Sequence, residues 1–183
     1  KHPDNIGGVD AGRDVWYSAM SPDGTWSTAV NIGRPINNNR NNYVNSITPD
    51  GNTLLLGNRY ESDGSSAGSG VSMTHRTANG WSMPENLTIR NFLNKSDHAE
   101  YALSPDGKTL LLGIETDKTY GFNDIYASFL TEDGDWTEPK NLGPVVNSVG
   151  NEIGPFLAAD GVSLYYSTNG ISGYGNNDLF VTR

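Results

Sequence analysis

The sequence predicts an all-β fold built from a recurring sheet unit of about 55 residues, and three markers carry the prediction. The first is a turn found at Thr48-Pro49-Asp50-Gly51, Ser104-Pro105-Asp106-Gly107 and Ala158-Ala159-Asp160-Gly161, whose Asp residues stand 56 and 54 positions apart. The second is Trp26, Trp81 and Trp136, each 55 residues from the last. The third is an Asp followed by apolar residues: Asp14-Val15-Trp16-Tyr17, Asp124-Ile125-Tyr126 and Asp178-Leu179-Phe180, with a degraded copy at Val71-Ser72-Met73. Self-similarity at a fixed period marks units that bury their apolar faces against one another. No stretch keeps a 3.6-residue apolar period of useful length, so no helix is predicted.

Each unit reads as four strands. In the last one, Asn151 to Leu157 is the innermost strand, and the Asp160-Gly161 turn reverses the chain. Ser163-Leu164-Tyr165-Tyr166-Ser167 follows, with Thr53 to Leu56 and Thr109 to Leu112 as counterparts. Such short continuous apolar runs between turns predict strands buried on both faces. After a Gly-rich loop (Asn169 to Gly175) comes a third strand, Asp178 to Thr182, matching Asp124 to Phe129 one unit earlier. A hairpin at Glu132-Asp133-Gly134 leads to an outer strand from Trp136 to about Gly143. Pro139, and Pro84 one unit before, fit an edge position, because proline lacks the ladder donor.

Sheets that shelter both faces of their neighbours, repeated at this period, predict an arc of a β-propeller with four-stranded blades. About three and a quarter repeats are present: a partial blade over 1–36, blades over 37–93 and 94–146, and a partial blade over 147–183. Asn5 to Gly12 resembles the loop at 169–177, so the chain is expected to open between second and third strands and to close after a third strand, with about 13 strands in all. That pattern predicts a piece of a larger ring, or a ring closed by a second copy.

Composition narrows the function classes. The net charge of −9 argues against a nucleic-acid partner, which requires a basic surface. The absence of cysteine excludes disulfides and thiolate metal sites. No apolar run is long enough for a membrane-spanning helix, so direct membrane insertion is not expected.

The unit Glu152-x-x-Pro155-Phe156-Leu157-x-x-Asp160-Gly161-x-x-Leu164-Tyr165-Tyr166-Ser167, followed by Asn177-Asp178-Leu179-Phe180, resembles the Pro-Asp repeat of TolB-like propellers. Ser104-Pro105-Asp106-Gly107-Lys108-Thr109-Leu110 matches it most closely. The spacer from Trp136 to Asn147 is similar to propellers of bacterial envelope proteins that also carry an OmpA-like domain, among them a periplasmic component of type IX secretion in Bacteroidetes. The resemblance implies a periplasmic or outer-membrane-associated scaffold that binds other envelope proteins. It brings no catalytic residues, because the repeat motif is structural, and it implies no cofactor.

Candidate site residues come from divergence inside the constant frame. Eight positions before each turn Asp stand Asn42, His98 and Glu152, expected near one mouth of the central channel. A His and a Glu there could hold a metal or a peptide terminus. A solvated channel wall is the blander reading and the favoured one, and His98 beside Asp97 and near Glu100 also suits an ordinary ion pair. Asp50, Asp106 and Asp160, with Gly51, Gly107 and Gly161, read as structural turns. Trp26, Trp81 and Trp136 read as rings wedged between blades. Ser21 to Trp26 nearly spells a sialidase Asp-box but is too short between Asp and Trp, so it reads as a hairpin. Glu61 to Gly70 offers oxygen ligands without the acid spacing of a calcium loop, and reads as a surface loop. His2 and His75 stand alone.

The expected function is a noncatalytic protein-interaction scaffold, since neither a Cys nucleophile nor a Gly-x-Ser-x-Gly elbow occurs. The alternatives are a propeller glycosidase or lyase, with Glu100 and Glu152 as its carboxylates, or the propeller domain of a peptidase.

Overall fold

A computed structural model describes residues 12–183. His2 and the Asn5 to Ala11 part of the first Gly-rich segment lie outside the described residues. Every regular element among those described is a strand. The order is β1 (Trp16–Tyr17), β2 (Val30–Asn31), β3 (Tyr43–Ile47), β4 (Thr53–Tyr60), β5 (Ser66–Thr77), β6 (Gly80–Trp81), β7 (Glu85–Asn86), β8 (Glu100–Leu103), β9 (Thr109–Ile114), β10 (Asp124–Phe129), β11 (Lys140–Asn141), β12 (Glu152–Leu157), β13 (Leu164–Thr168) and β14 (Asp178–Thr182).

These strands form four antiparallel sheets. Sheet I is β1-β2 and sheet II runs β3-β4-β5-β6 with β7 also on β5. Sheet III has the order β11-β10-β9-β8 and sheet IV the order β12-β13-β14. Consecutive strands pair with consecutive strands, as short Asp-Gly connections require. In the turn before β9, the Gly107 N–H donates to the Ser104 carbonyl at 2.9 Å, and Gly107 sits at φ +72°, where a side chain would be strained.

The second strand of sheets II and III is buried on both faces: Leu54, Leu55 and Leu56, and again Leu110, Leu111 and Leu112, are all shielded from water. Two compact units share the chain, Lys1–Val44 with Asn52–Asn86, and Asn45–Gly51 with Leu87–Arg183. The first has a core of Ile36, Leu54, Leu56 and Tyr60, with Val15, Ile32 and Trp81 packed against it, so sheets I and II meet there. The core of the second joins Ala102, Leu111, Ile125 and Ala127 of sheet III to Leu164 and Tyr166 of sheet IV, closed by Val146.

Sheet II departs from the expected plan twice. Ser66 to Gly70, read as part of a surface loop, forms the first five of the 12 residues of β5. A tight turn makes this extension possible: Gly64 N–H donates to Glu61 O at 2.9 Å, and Asp63 Oδ1 accepts the Ser65 N–H at 2.9 Å. The outer strand is also split into β6 and β7, which flank the buried Pro84 and pair with the same β5. Sheets I and III show the same gap, with single bridges at Met20–Trp26 and Leu130–Trp136 before the short β2 and β11, and sheet I has no proline in it. In sheet II the pairing at the Trp spans two residues, Gly80 and Trp81, and the total among described residues is 14 strands against 13 expected.

Candidate functional site

The frame that holds the loops is a buried Asn clip. Asn147 Oδ1 accepts the Ile125 N–H at 2.7 Å while its Nδ2 donates to the Ile125 carbonyl at 2.9 Å and to Asn141 Oδ1 at 2.8 Å. Asn141 Nδ2 donates to Asp124 Oδ2 at 2.6 Å, and its Oδ1 accepts the Gly143 N–H at 2.8 Å. The same network recurs 110 residues earlier: Asn37 clips both backbone groups of Val15 at 2.8 and 2.9 Å, and Asn31 bridges Asn37, Gly33 and Asp14. Sequence reasoning missed it. The signal was there as Asn31-Ile32-Gly33 with Asn37, and Asn141-Leu142-Gly143 with Asn147.

Sheet II lacks the device. Gly70 stands where the Asp would be and Phe92 where the clip Asn would be. Asn86, the counterpart of Asn141, instead clips the backbone of Tyr60, with Oδ1 on its N–H and Nδ2 on its carbonyl, both at 2.8 Å.

Of the three expected channel-mouth residues, two belong to this frame. Glu152 is completely buried. Its Oε2 accepts the Ser148 N–H at 3.0 Å, and its Oε1 accepts the hydroxyls of Ser148 and Thr168, each at 2.5 Å. Asn42 takes the corresponding place in the first unit, accepting the Asn38 N–H at 3.0 Å and donating to Tyr60 Oη at 3.3 Å. Neither side chain lines a solvated wall, because the connection ahead of the strand folds over it. His98 is the exposed member.

Burial, and after it the charge of Glu152, raises the Asp124 pKa against the opposing donors of Asn141 and Tyr120. Asp124 Oδ1 is buried without a hydrogen-bond partner. Glu100 is half-buried and accepts the Gly154 N–H, so neither expected glycosidase carboxylate is a free acid over an open cleft.

The turn acids hold their own hairpins. Asp160 accepts the N–H groups of Val162 and Ser163 at 2.9 and 2.8 Å, and these bonds lower its pKa to about 2. Asp106 accepts the Lys108 N–H and the Ser104 hydroxyl and is likewise lowered. Asp50 accepts the Thr48 hydroxyl at 2.6 Å.

The three Trp residues part ways. Trp136 is 1% exposed, and its backbone bonds to Thr88 O at 2.8 Å and to the Arg90 N–H at 2.9 Å, stitching a preceding connection to the hairpin. Trp81 is half-buried against the first core, under the Arg76 guanidinium at 4.6 Å. Trp26 is 67% exposed and wedges into nothing among the described residues. No described segment plays for it the part that 88–90 plays for Trp136.

In the second unit, several connections converge into one loop cluster. Asn123 Nδ2 donates to the His98 carbonyl at 3.3 Å, and the Phe122 N–H donates to Gly150 O at 2.9 Å. A Cβ on Gly121 would lie 2.3 Å from Gly150 O, and one on Gly150 would lie 2.4 Å from Gly170 N, so only glycine permits this stacking. The cluster exposes Tyr120, Phe122, Val149, Ile171 and Tyr174 together with His98. Lys95 and Asp117 pair beside it.

No group of three His, Asp or Glu side chains suited to a metal occurs among the described residues. No helix among them is long and apolar enough to cross a membrane. A polar cleft of about 330 Å³ in the first unit is lined by Arg40, Asn41, Asn58, Ser66, Gly68 and Ser69, without a carboxylate. No protein-family model matches this chain, and no curated protein or solved structure matches it either.

Proposed function

We propose that this chain is a noncatalytic protein-interaction scaffold, an arc of a propeller resembling the Pro-Asp-repeat propellers of the bacterial envelope, working in the periplasm or at the outer membrane. The observation that carries the reading is the loop cluster of the second unit. Five exposed apolar residues, three of them aromatic, stand on loops locked by Gly–Gly contacts and Asn bonds. Aromatic side chains on a preorganised surface are what an interface core requires. The net charge of −9 suits a partner whose rim is basic. Support against a glycosidase comes from Glu152, whose carboxylate is spent on Ser148 and Thr168.

A photo-crosslinking amino acid placed at Phe122 or Tyr174 in envelope-bearing cells tests this. The expected result is one discrete partner band from both positions and none from the exposed control Val162. Equal labelling at all three positions would overturn the reading. So would polysaccharide turnover by the wild-type chain that disappears in Glu100→Gln.

A further inference from the structure

We propose that the polar cleft of the first unit binds a small hydroxylated carboxylate, a sugar acid, with its carboxylate on Arg40. The site belongs to the first unit and does not rest on the loop cluster.

Two positions of the repeat carry the argument, because both are spent on the frame elsewhere and changed in sheet II. Ten positions before the turn Asp stand Arg40, Ser96 and Gly150. Gly150 is packed so closely that a Cβ would lie 2.4 Å from Gly170 N. Ser96 serves its own connection, its Oγ accepting the His98 N–H at 3.1 Å. In the connection ahead of sheet II the same place holds a guanidinium, and a cleft of about 330 Å³ opens beside it. Eight positions after the turn Asp stand Asn58, Ile114 and Thr168. Ile114 and Thr168 are completely buried, whereas Asn58 is half-buried and lines the cleft. Asn58 adopts φ +107°, and the β4–β5 register shifts between Gly57 and Arg59. A positive φ is costly for a residue with a side chain, and a bulge re-aims that side chain. Here the Asn58 amide reaches the connection that carries Arg40, where its Nδ2 donates to the Asn41 carbonyl.

The groups left over define the ligand. Among the described residues the Arg40 guanidinium has no ion-pair partner. The cleft has no carboxylate in its lining, in a chain with 21 Asp and Glu against 12 Lys and Arg. A guanidinium matches a carboxylate through two parallel hydrogen bonds. Asn41 Oδ1 accepts the Arg13 N–H at 3.1 Å, which leaves its Nδ2 to donate. Ser66 Oγ accepts the Gly68 N–H at 3.2 Å and keeps its own O–H, and Ser69 adds a second hydroxyl. Asn58 Oδ1 remains as an acceptor. An inorganic anion would leave that acceptor unused, and an aromatic ligand would find no apolar wall. A carboxylate carried on a ring of hydroxyls uses every group. The volume lies at the small end of the range for ligand sites, which suits a single sugar.

The probe is glucuronate, titrated into the wild-type chain and followed by calorimetry and by the NMR signal of the Asn58 side-chain amide. Expected are saturable binding, a shift of that signal, and affinity at least about tenfold lower for glucose, which lacks the carboxylate, and for acetate, which lacks the hydroxyls. These comparisons use unaltered protein, so no folding defect can imitate the loss. Arg40→Gln, checked by an unchanged melt, should lose binding by at least about tenfold as well. No saturable binding at high millimolar glucuronate would overturn the proposal. So would glucose, acetate or inorganic phosphate binding as tightly as glucuronate, full binding by Arg40→Gln, or shifts confined to residues outside the cleft.

Discussion

Asn147 lies alongside Ile125 as though it were one more strand residue, its side-chain amide matching both backbone groups at 2.7 and 2.9 Å. A side chain thus takes over hydrogen bonding exactly where β11 ends, and the connection to β12 becomes as fixed as the ladder. Asn37 does the same for Val15.

Asn147→Ala is expected to cost about 1–3 kcal/mol, because it strands the buried Ile125 N–H, while the Ile125 carbonyl keeps the Leu142 N–H at 3.1 Å. Urea unfolding checks this. A loss below about 1 kcal/mol would mean that water or a neighbouring loop replaces the clip.

Trp136→Ala should cost roughly 3–5 kcal/mol, the range for a large buried ring. Trp26→Ala, at an exposed position, should stay within about 0.5 kcal/mol. Paired thermal melts of the two variants decide the point, and equal losses would show that Trp26 is covered in solution.

Glu152→Ala should destabilise the chain by about 2 kcal/mol, since the Ser148 N–H and the hydroxyls of Ser148 and Thr168 lose their buried acceptor. A melt of the variant at neutral pH measures it. Unchanged stability would contradict the buried acceptor role.

Asp124→Asn carries a pH signature. The folded-state pKa of Asp124 is raised, so its ionised form opposes folding above that pKa and the opposition fades as the pH falls through it. Asn keeps one oxygen for the Tyr120 and Asn141 donors, which both use Oδ2, and removes the charge. The amide N–H₂ takes the place of the buried, partnerless Oδ1 at a cost that does not vary with pH, so the stability of the variant relative to wild type should be higher at pH 7 than in acid. A relative stability that rises as the pH falls would contradict this sign.

Asp160 has the opposite sign. Its pKa is lowered to about 2, so its turn bonds contribute fully above the ordinary Asp range and are lost as the pH falls toward 2. Asp160→Ala should lower the melting temperature at pH 6 and make little difference near pH 2. A pH-independent loss would assign the effect to backbone propensity alone.

Much of the sheet plan was legible in the sequence. β10 and β14 start and stop at Asp124–Phe129 and Asp178–Thr182 as the Asp-led apolar pattern predicts, because short apolar runs and bounding turns are local signals. The tight Asp63-Gly64 turn is local too, but its consequence, a 12-residue β5, depends on the partner strand it lets the chain reach. The site was less legible. Asn42, His98 and Glu152 occupy equivalent positions, yet two are buried and one exposed, since burial depends on what the connection ahead of each strand folds over it.

By itself the sequence determined the period, the strands and the hairpins, since these follow from dihedral preferences and from apolar spacing along one stretch of chain. Only the tertiary structure decided which polar residues are spent on the frame and which remain for a partner. Asn147, Glu152 and Tyr174 look equally available in one dimension. Contacts between distant segments, where desolvation is charged to some polar groups and not to others, bury the first two and leave the third in solvent.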